Sequence, residues 1–599
     1  MKKIVYNIFL IVSVAITFAS CKKYLDQQPI TSFDENYVFS DVNSARQAIA
    51  GAYSRLTGDQ GYGIRLSLYY TVDNDEMQGP TGNADNDRRD IARFIATPQN
   101  AQLERPFNQL FTGIEYANIC ILNIPAMDLY SNGTEQQKKQ LQRMYGEALA
   151  LRAQYYFEAI RNWGDLPMHF EPAYKLYPKD PFPKRVSSDT LYDRIIKDLE
   201  LAASLVPWRN EITNIGDVPD ERLTKGSIKA LRARIALFRG GFALRQTGGM
   251  QRSADYLTYY NIAKQECNDI INSGQHGLNP NYRSLWKDVV CAHAATDPQG
   301  ELMFQVTGIG LNAVADTKLG YYNGPSVNGL GNRSINPLLP YFYSFDNNDL
   351  RRDVTIAPYN VAANGVTKVG QTSAAMNDGK YRRDWITNPS FAPTDQVQYF
   401  GLKWQIIRYS DVLLMLAEAE NELNGPTSLA YNAINMVRRR GFGKPINTPD
   451  ASVDLPAGLS KAAFFDAVVR ERSFELGGEG VRKYDLIRWN LLGAKIAETR
   501  ATLTAMFNAT GIYASYPTRM FFRNNSTADD RTLWANSFTA PSPSSTPTGT
   551  TGVNWINAIL NTTVLQRFAT GYTAGKSELL PLPQAAIDAN FNLKQNPGY

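Results

Sequence analysis

The sequence predicts a mainly α-helical protein: tetratricopeptide-type helix pairs interrupted by long irregular loop insertions, with little β structure. Three observations predict it. Apolar residues recur at helical spacing in three pairs of segments, Gly and Pro punctuate those segments, and the long stretches between them are rich in Gly, Asn, Asp, Pro and Tyr without strand alternation.

At the N-terminus, Lys2 and Lys3 precede an apolar run from Ile8 to Ile16, far shorter than the roughly 20 residues a membrane-spanning helix needs. Residues 1–20 read as a signal peptide. Ala19 and Ser20 lead directly into Cys21, which resembles a bacterial lipobox with Phe18 where Leu is usual. On that reading the Cys21 thiol is acylated and becomes the anchor of the mature chain. No later stretch is long and apolar enough to span a bilayer.

In "YGEALALRAQYYFEAIRNWGDLPM", Tyr145, Leu149, Ala153, Tyr156, Ile160 and Trp163 repeat at three- and four-residue spacing, and Gly164 and Pro167 stop the pattern. The next helix, Ser188 to Val206, opens on a Ser-Ser-Asp cap signal and ends before Pro207. A second pair follows in "LTKGSIKALRARIALFRGG" and "YLTYYNIAKQECNDIINSG". The third is "RYSDVLLMLAEAENELNGPTSLAYNAINMVRRRG", broken at Asn424-Gly425-Pro426, with Ala417, Ala419 and Ala433 where helices would cross closely. The spacing is too irregular for a strict 34-residue period. "ELMFQV" at 301–306 is the convincing strand, and residues 70–100, 165–187, 308–400 and 505–575 are irregular. Their many aromatics argue against disorder, except in "TAPSPSSTPTGTTG" at 539–552, which reads as a mobile surface loop.

Cleavage after residue 20 removes two lysines and no acid, lowering the formal charge from +5 to +3. That is too little for nucleic-acid binding, and no basic stripe interleaves with aromatics. By length the mature chain holds two to four conventional domains or one large one. Tyrosines (33) outnumber phenylalanines (27), which suits wet binding surfaces, because tyrosine joins an apolar face to a polar tip. Past Cys21 only Cys120, Cys267 and Cys291 remain, without a C-x-x-C, so a disulfide framework is not expected; Cys120 and Cys267 fall in helical patterns as core residues.

The sequence carries no H-E-x-x-H, G-x-S-x-G, Walker A or Rossmann signature. His169, His276 and His293 are not spaced for a metal. The acid-rich loop with Asp73, Asp75, Asp85 and Asp87 lacks the glycine and glutamate of an EF-hand, so no metal or cofactor is expected. Glu471 and Glu475 lie four apart in "VVRERSFELGGEGVRKYDLIRW", as a carboxylate pair might. Arg470, Arg472, Arg482 and Arg488 alternate there with Glu479 and Asp485, so the segment reads as an internal ion-pair network locking two helices.

This segment also resembles the E-R-x-x-E-L-x-x-E-G-x-R-x-x-D-L-x-R-W motif of the RagB/SusD family of outer-membrane nutrient-binding lipoproteins. "CKKYLDQQP" is similar to that family's mature N-terminus, and "ALRAQYYFEAIRNWGDLPM" and "RYSDVLLMLAEAENEL" to two of its helices. "LLPLPQAAIDANFNLKQNPGY" resembles its tail, with departures at Asp588 and Phe591. The resemblance implies a SusD-like fold with an N-terminal region over 21–275 and a C-terminal region over 276–599, forming one compact unit. It further implies a lipid-anchored, outward-facing protein of the outer membrane, paired with a SusC-like TonB-dependent transporter. Such a protein binds oligosaccharides, or in some members peptides, and performs no chemistry on them; a glycan-degrading enzyme is the remaining rival.

The matched motifs belong to the scaffold, so the ligand residues have to be argued physically. A sugar needs flat exposed aromatics flanked by polar groups. "YYTVDNDEMQGPTGNADNDRRD" and "GYYNGPSVNGLGNRSINP" supply both, with Tyr321 and Tyr322 expected to stack and Asp75, Glu76, Arg88 and Asn323 to make polar contacts. Trp385 in "KYRRDWITNPS" is a third aromatic candidate, whereas Trp163, Trp286 and Trp489 are expected in the core.

Overall fold

The computed structural model describes residues 35–218, 222–308, 310, 314–387 and 391–599. The segment read as a signal peptide and lipobox, Cys21 included, lies outside the described residues. Helix accounts for 47% and strand for 9%, so helix packing decides the architecture, as the sequence predicts.

The helices that position the rest are α1 (Val42–Ser54), α2 (Ala101–Asn123), α3 (Glu135–Trp163), α4 (Ser188–Leu205), α5 (Lys225–Arg239), α6 (Tyr256–Asn272), α7 (Tyr409–Asn424), α8 (Ser428–Gly441), α9 (Lys461–Leu476), α10 (Arg482–Arg488) and α11 (Leu492–Phe507). They pack in chain order: α2 on α1 and α3, then α4 on α3, α5 on α4, α6 on α5, α7 on α6, and α8 and α9 on α7. Each helix buries its apolar stripe against its neighbours in the chain, which is the physical pattern of a helical solenoid.

α3 is the central element. A capping box starts it, with the Thr134 amide donating to Gln137 Oε1 at 2.9 Å and the Gln137 amide to Thr134 Oγ1 at 3.3 Å. Gly164, at φ 74°, ends it; a β-carbon there would lie 2.8 Å from Leu579 Cδ1 in the C-terminal tail. The sequence predicts a broad buried stripe on this helix, but the structure buries nearly every residue from Met144 onward, charged ones included. Arg152 pairs with Asp198 of α4 at 2.7 Å, which lets a polar face sit inside. α2 reaches α3 at Gly113, where a β-carbon would lie 2.6 Å from the Tyr155 ring. Ala417, Ala419 and Ala433 are buried at the α7 and α8 crossings, and Cys120, Cys267 and Cys291 are buried free thiols.

The irregular insertions hold several two-stranded ladders. β1 (Leu302–Val306) pairs antiparallel with β2 (Trp404–Arg408), a strand the sequence pattern does not announce because both its faces are buried. β3 (Arg519–Arg523) pairs with β4 (Thr550–Asn554), so the end of the stretch read as a mobile loop is instead strand, held opposite Phe521 and Phe522.

Buried charge joins the insertions to the solenoid. Arg408, at the end of β2, contacts Glu301 at 2.7 Å, Glu475 at 3.1 Å and Glu479 at 2.8 Å. Arg440 of α8 contacts Glu301 at 3.1 Å and Glu475 at 2.5 Å. Arg351 adds Glu471 at 2.6 Å, Glu475 at 3.3 Å and Asp349 at 2.7 Å, while Lys380 takes Glu479 at 2.5 Å. Glu471 and Glu475 are therefore members of a network, as expected, but its arginines come mainly from outside the segment that carries the acids. Arg470 faces solvent, and Arg472 and Arg488 serve a second cluster with Asp411, Asp485 and Glu418.

Burial disfavours the charged form of Glu475, yet Arg440, Arg408 and Arg351 outweigh it and hold its carboxyl down from 4.5 to about 2. A carboxyl depressed in the fold contributes stability above its unfolded value, and that contribution is lost as pH falls from about 4.5 toward 2. Glu475→Gln should lower stability near neutral pH by about 3–5 kcal/mol. In urea titrations the gap between variant and parent should narrow as the pH is brought down through this window; a gap that is absent or independent of pH would remove Glu475 from the network's energetics.

Candidate functional site

The two loops singled out by sequence come together. Met77 and Gln78 pair with Pro337 and Asn336, and the Arg88 guanidinium donates to Asn332 Oδ1 at 3.2 Å. Tyr321 and Tyr322 leave a tight turn in which both their amides donate to the Lys318 carbonyl, at 3.1 and 3.0 Å. Gly320 permits that turn: its φ is 80°, and a β-carbon would lie 2.5 Å from Ile386 Cδ1. On the other side, the Asn332 amide donates to Tyr321 O at 2.6 Å and the Ser334 amide to Tyr322 O at 2.9 Å.

The rings of Tyr321 and Tyr322 are half-buried and meet edge to face, 5.2 Å apart at 81°. The Arg88 guanidinium lies 5.5 Å from the Tyr322 ring centre and 5.8 Å from that of Tyr69, which ends the π-type turn Arg65–Tyr69. Lys318 Nζ lies 5.9 Å from Tyr322 and 5.0 Å from Tyr399. It also pairs with Asp59 at 3.0 Å, and the Tyr399 hydroxyl donates to the same carboxylate at 3.3 Å. The result is a row of alternating phenols and cations along one partly exposed face. Burial works against the Arg88 charge, but the Tyr69 and Tyr322 phenols outweigh it and raise the group above its ordinary value. Burial likewise opposes the charge on Lys318, which Tyr399 and Asp59 raise.

Three of the expected contacts, Tyr321, Tyr322 and Arg88, therefore share a surface. The other four need correction. Asn323 is 1% exposed, with its side-chain amide donating to Asp378 Oδ2 at 2.8 Å while the Gly324 amide takes Oδ1 at 3.0 Å. Glu76 is 2% exposed; burial pushes its carboxyl up, against the pull of Arg482. Asp75 is engaged by Arg482 through two hydrogen bonds of 2.8 and 2.6 Å. Trp385 is 5% exposed, donates to Asp529 Oδ2 at 2.8 Å, and carries Arg382 at 4.2 Å from its ring centre. These side chains are turned to partners within the protein. Trp163, Trp286 and Trp489 are buried, as expected.

Sequence reasoning missed Lys318, Tyr399 and Asp59, which come from separate segments with no pattern linking them. Tyr69, Asn332 and Arg333 lie inside the two quoted loops, where neighbouring residues drew the attention. In the acid-rich loop, Asp73 accepts from the Gly79 and Ala569 amides at 2.7 and 2.8 Å, and Asp85 pairs with Arg89 at 2.6 Å. Among the described residues no group of three or more His, Cys, Asp or Glu is arranged to hold a metal ion.

A larger cleft, about 680 Å³, opens elsewhere, between α2, the 166–185 loop and the C-terminal tail, with Phe107, Phe111, Leu582 and Leu593 in its walls. Two of its charged side chains serve the protein itself. Glu115 accepts from the Ala173 amide at 2.9 and 3.0 Å, and Arg185 donates to Lys594 O at 2.5 Å and to Asn596 Oδ1 at 2.6 Å. The tyrosine face is the better candidate, because three half-exposed phenol rings and the cations against them converge there.

Comparison with known proteins bears on family and fold. A sequence model described as "SusD family" matches residues 340–599, and one described as "Starch-binding associating with outer membrane" matches residues 23–237. The chain belongs to the SusD family. A SusD-like protein P25 from Formosa agariphila is 25% identical over 532 residues, covering 82% of this chain and 90% of the relative. A SusD homolog from Bacteroides thetaiotaomicron superposes with a TM-score of 0.75 at 24% identity, covering 94% of this chain and 98% of that one. Surface glycan-binding protein A from Bacteroides fluxus superposes with a TM-score of 0.63 at 19% identity, covering 94% and 100%. This SusD-family chain shares the fold with both structures. Among its described residues, no helix is long and apolar enough to cross a membrane.

Asn323 and Tyr321 separate footing from face. Asn323→Ala leaves Asp378 without its side-chain donor inside the protein and should cost about 1–3 kcal/mol. Tyr321→Phe should leave the unfolding midpoint within error; a midpoint that falls as far as that of Asn323→Ala would make Tyr321 a supporting residue.

Proposed function

We propose that this protein is a cell-surface lipoprotein that captures oligosaccharides at the Tyr321–Tyr322 face and passes them to a SusC-like TonB-dependent transporter of the outer membrane. The observation that carries the reading is the row of half-buried phenols, Tyr321, Tyr322 and Tyr399, flanked by Arg88, Lys318 and Asn332. Flat rings cover the apolar C–H face of a sugar, and the flanking donors and acceptors meet its hydroxyl rim. Support also comes from the family description, which links starch binding to the outer membrane, and from the printed name of the Bacteroides fluxus neighbour.

Capture without cleavage fits the carboxylates at this face. Glycoside hydrolysis commonly requires two, one to protonate the leaving group and one to attack or activate water. Asp59, the carboxylate in the row, is occupied by Lys318, Tyr399 and Arg65, the last at 3.9 Å. Delivery needs the protein held at the membrane, the role assigned to Cys21.

Two experiments test the reading. Tyr321→Ala/Tyr322→Ala should weaken oligosaccharide binding by at least about 1 kcal/mol, or roughly fivefold. Calorimetry against a glycan panel, with circular dichroism to show that the variant folds, checks it; full affinity in the folded double variant would exclude this face. Cys21→Ala should release the protein from the membrane fraction or leave the signal peptide uncleaved, and a fatty-acid label still carried by the variant would contradict the anchor.

A further inference from the structure

We infer that the ligand of this face is an anionic oligosaccharide, bearing uronate carboxylates or sulfate esters. The inference rests on the tyrosine face being the binding site and names the class of sugar it takes. Arg65, Arg88 and Lys318 lie against its rings, Arg333 follows Asn332 in the segment that holds the tyrosine carbonyls, and Asp59 is shared by Lys318 at 3.0 Å and Arg65 at 3.9 Å.

Arg88 has neutral partners: Asn332 Oδ1 at 3.2 Å and the rings of Tyr69 and Tyr322. Arg333 is half-buried and, among the described residues, forms neither an ion pair nor a side-chain hydrogen bond. It stands between Asn332 and Ser334, whose amides hold the Tyr321 and Tyr322 carbonyls at 2.6 and 2.9 Å, so the backbone delivers it to the edge of the phenol row. Its φ of 47° is left-handed, a conformation uncommon outside glycine.

The arginines of the buried ion-pair networks are treated differently. Arg351, Arg408 and Arg440 each meet two or three carboxylates, and Arg482 and Arg472 meet two each. Arg88 and Arg333 have no such acid; Arg382 and Arg383 lack one too, but their guanidinium groups are spent on backbone carbonyls, whereas that of Arg333 is spent on none. Guanidinium presents a planar fork of donors that matches a carboxylate or a sulfate in two parallel hydrogen bonds. A neutral sugar would leave that charge merely solvated.

The test is calorimetry of the purified protein with matched probes: tetragalacturonate against its methyl ester, and dextran sulfate oligomers against dextran of the same length. At least one charged probe should bind about tenfold or more tightly than its uncharged partner, with affinity falling as salt is added. The uronate and sulfate arms show which anion the site takes. Arg333→Gln should weaken the charged probe by about tenfold while leaving the unfolding midpoint unchanged, since the guanidinium has no partner inside the protein. Arg88→Lys, which keeps the charge, should lose less than Arg88→Gln.

Equal affinity for charged and uncharged members, or binding by neither charged probe, overturns the inference. If neutral dextran or laminarin binds, fails with Tyr321→Ala/Tyr322→Ala and ignores Arg333→Gln, the tyrosine face stands and its anionic character falls. If a charged probe binds the tyrosine double variant at full affinity, both readings fall.

Discussion

The join between the helices and the central insertions depends on Glu475. Its buried carboxylate receives Arg351, Arg408 and Arg440, which belong to a loop, the end of β2 and α8, while Glu475 itself sits on α9. Through Arg408 and Arg440 the same network takes in Glu301, at the start of the β1 ladder. Charges this deep are costly unless each finds its counterpart, so the insertions cannot shift without stranding a charge. An apolar core would hold helices together equally well but would tolerate sliding. A fan of guanidinium groups around one carboxylate fixes direction as well as distance.

That arrangement explains which parts of the fold are legible in sequence. Helical periodicity is local, so the paired helices and their Gly and Pro stops can be read directly, and crossing points such as Ala417 and Ala433 stand out by size. The insertions are organised by contacts far apart in the chain. β2 is buried on both faces and shows no alternation, and β4 pairs with a strand some thirty residues away across a Ser-, Thr- and Pro-rich stretch. The motif acids Glu471, Glu475 and Glu479 announce a network, but nothing local says that Arg351, Arg408 and Arg440 complete it.

The same physics accounts for the mixed outcome at the site. Irregular backbone that is buried must have its amides and carbonyls satisfied, and where no regular ladder does this, Asn, Asp and Arg side chains are drawn inward. Asn323 on Asp378, Asp73 on the Gly79 and Ala569 amides, and Arg382 on the Gly379 carbonyl all serve this purpose. A polar residue in such a loop is thus as much a sign of internal support as of ligand contact. Polarity selected Asn323 and Glu76 wrongly for this reason, whereas the aromatic pair and Arg88 did reach the surface.

Within "YYN" at 321–323 the chain changes role from one residue to the next. Tyr321 and Tyr322 contribute rings to the half-exposed row, and Asn323 turns inward to Asp378, a carboxyl that burial pushes up to about 6 against the hydrogen bonds of Asn323 and Gly324. Gly320 and the Asn332 and Ser334 amides fix the same stretch from its other sides. A binding face built on loops needs this backing, because preorganisation that a helix or strand would supply must come from side chains instead. The consequence is a division of labour within a few residues. On the proposed reading, substitutions at Tyr321, Tyr322 or Arg333 would change what is bound and leave the footing in place, whereas a change at Gly320, Asn323 or Asp378 would move the platform itself.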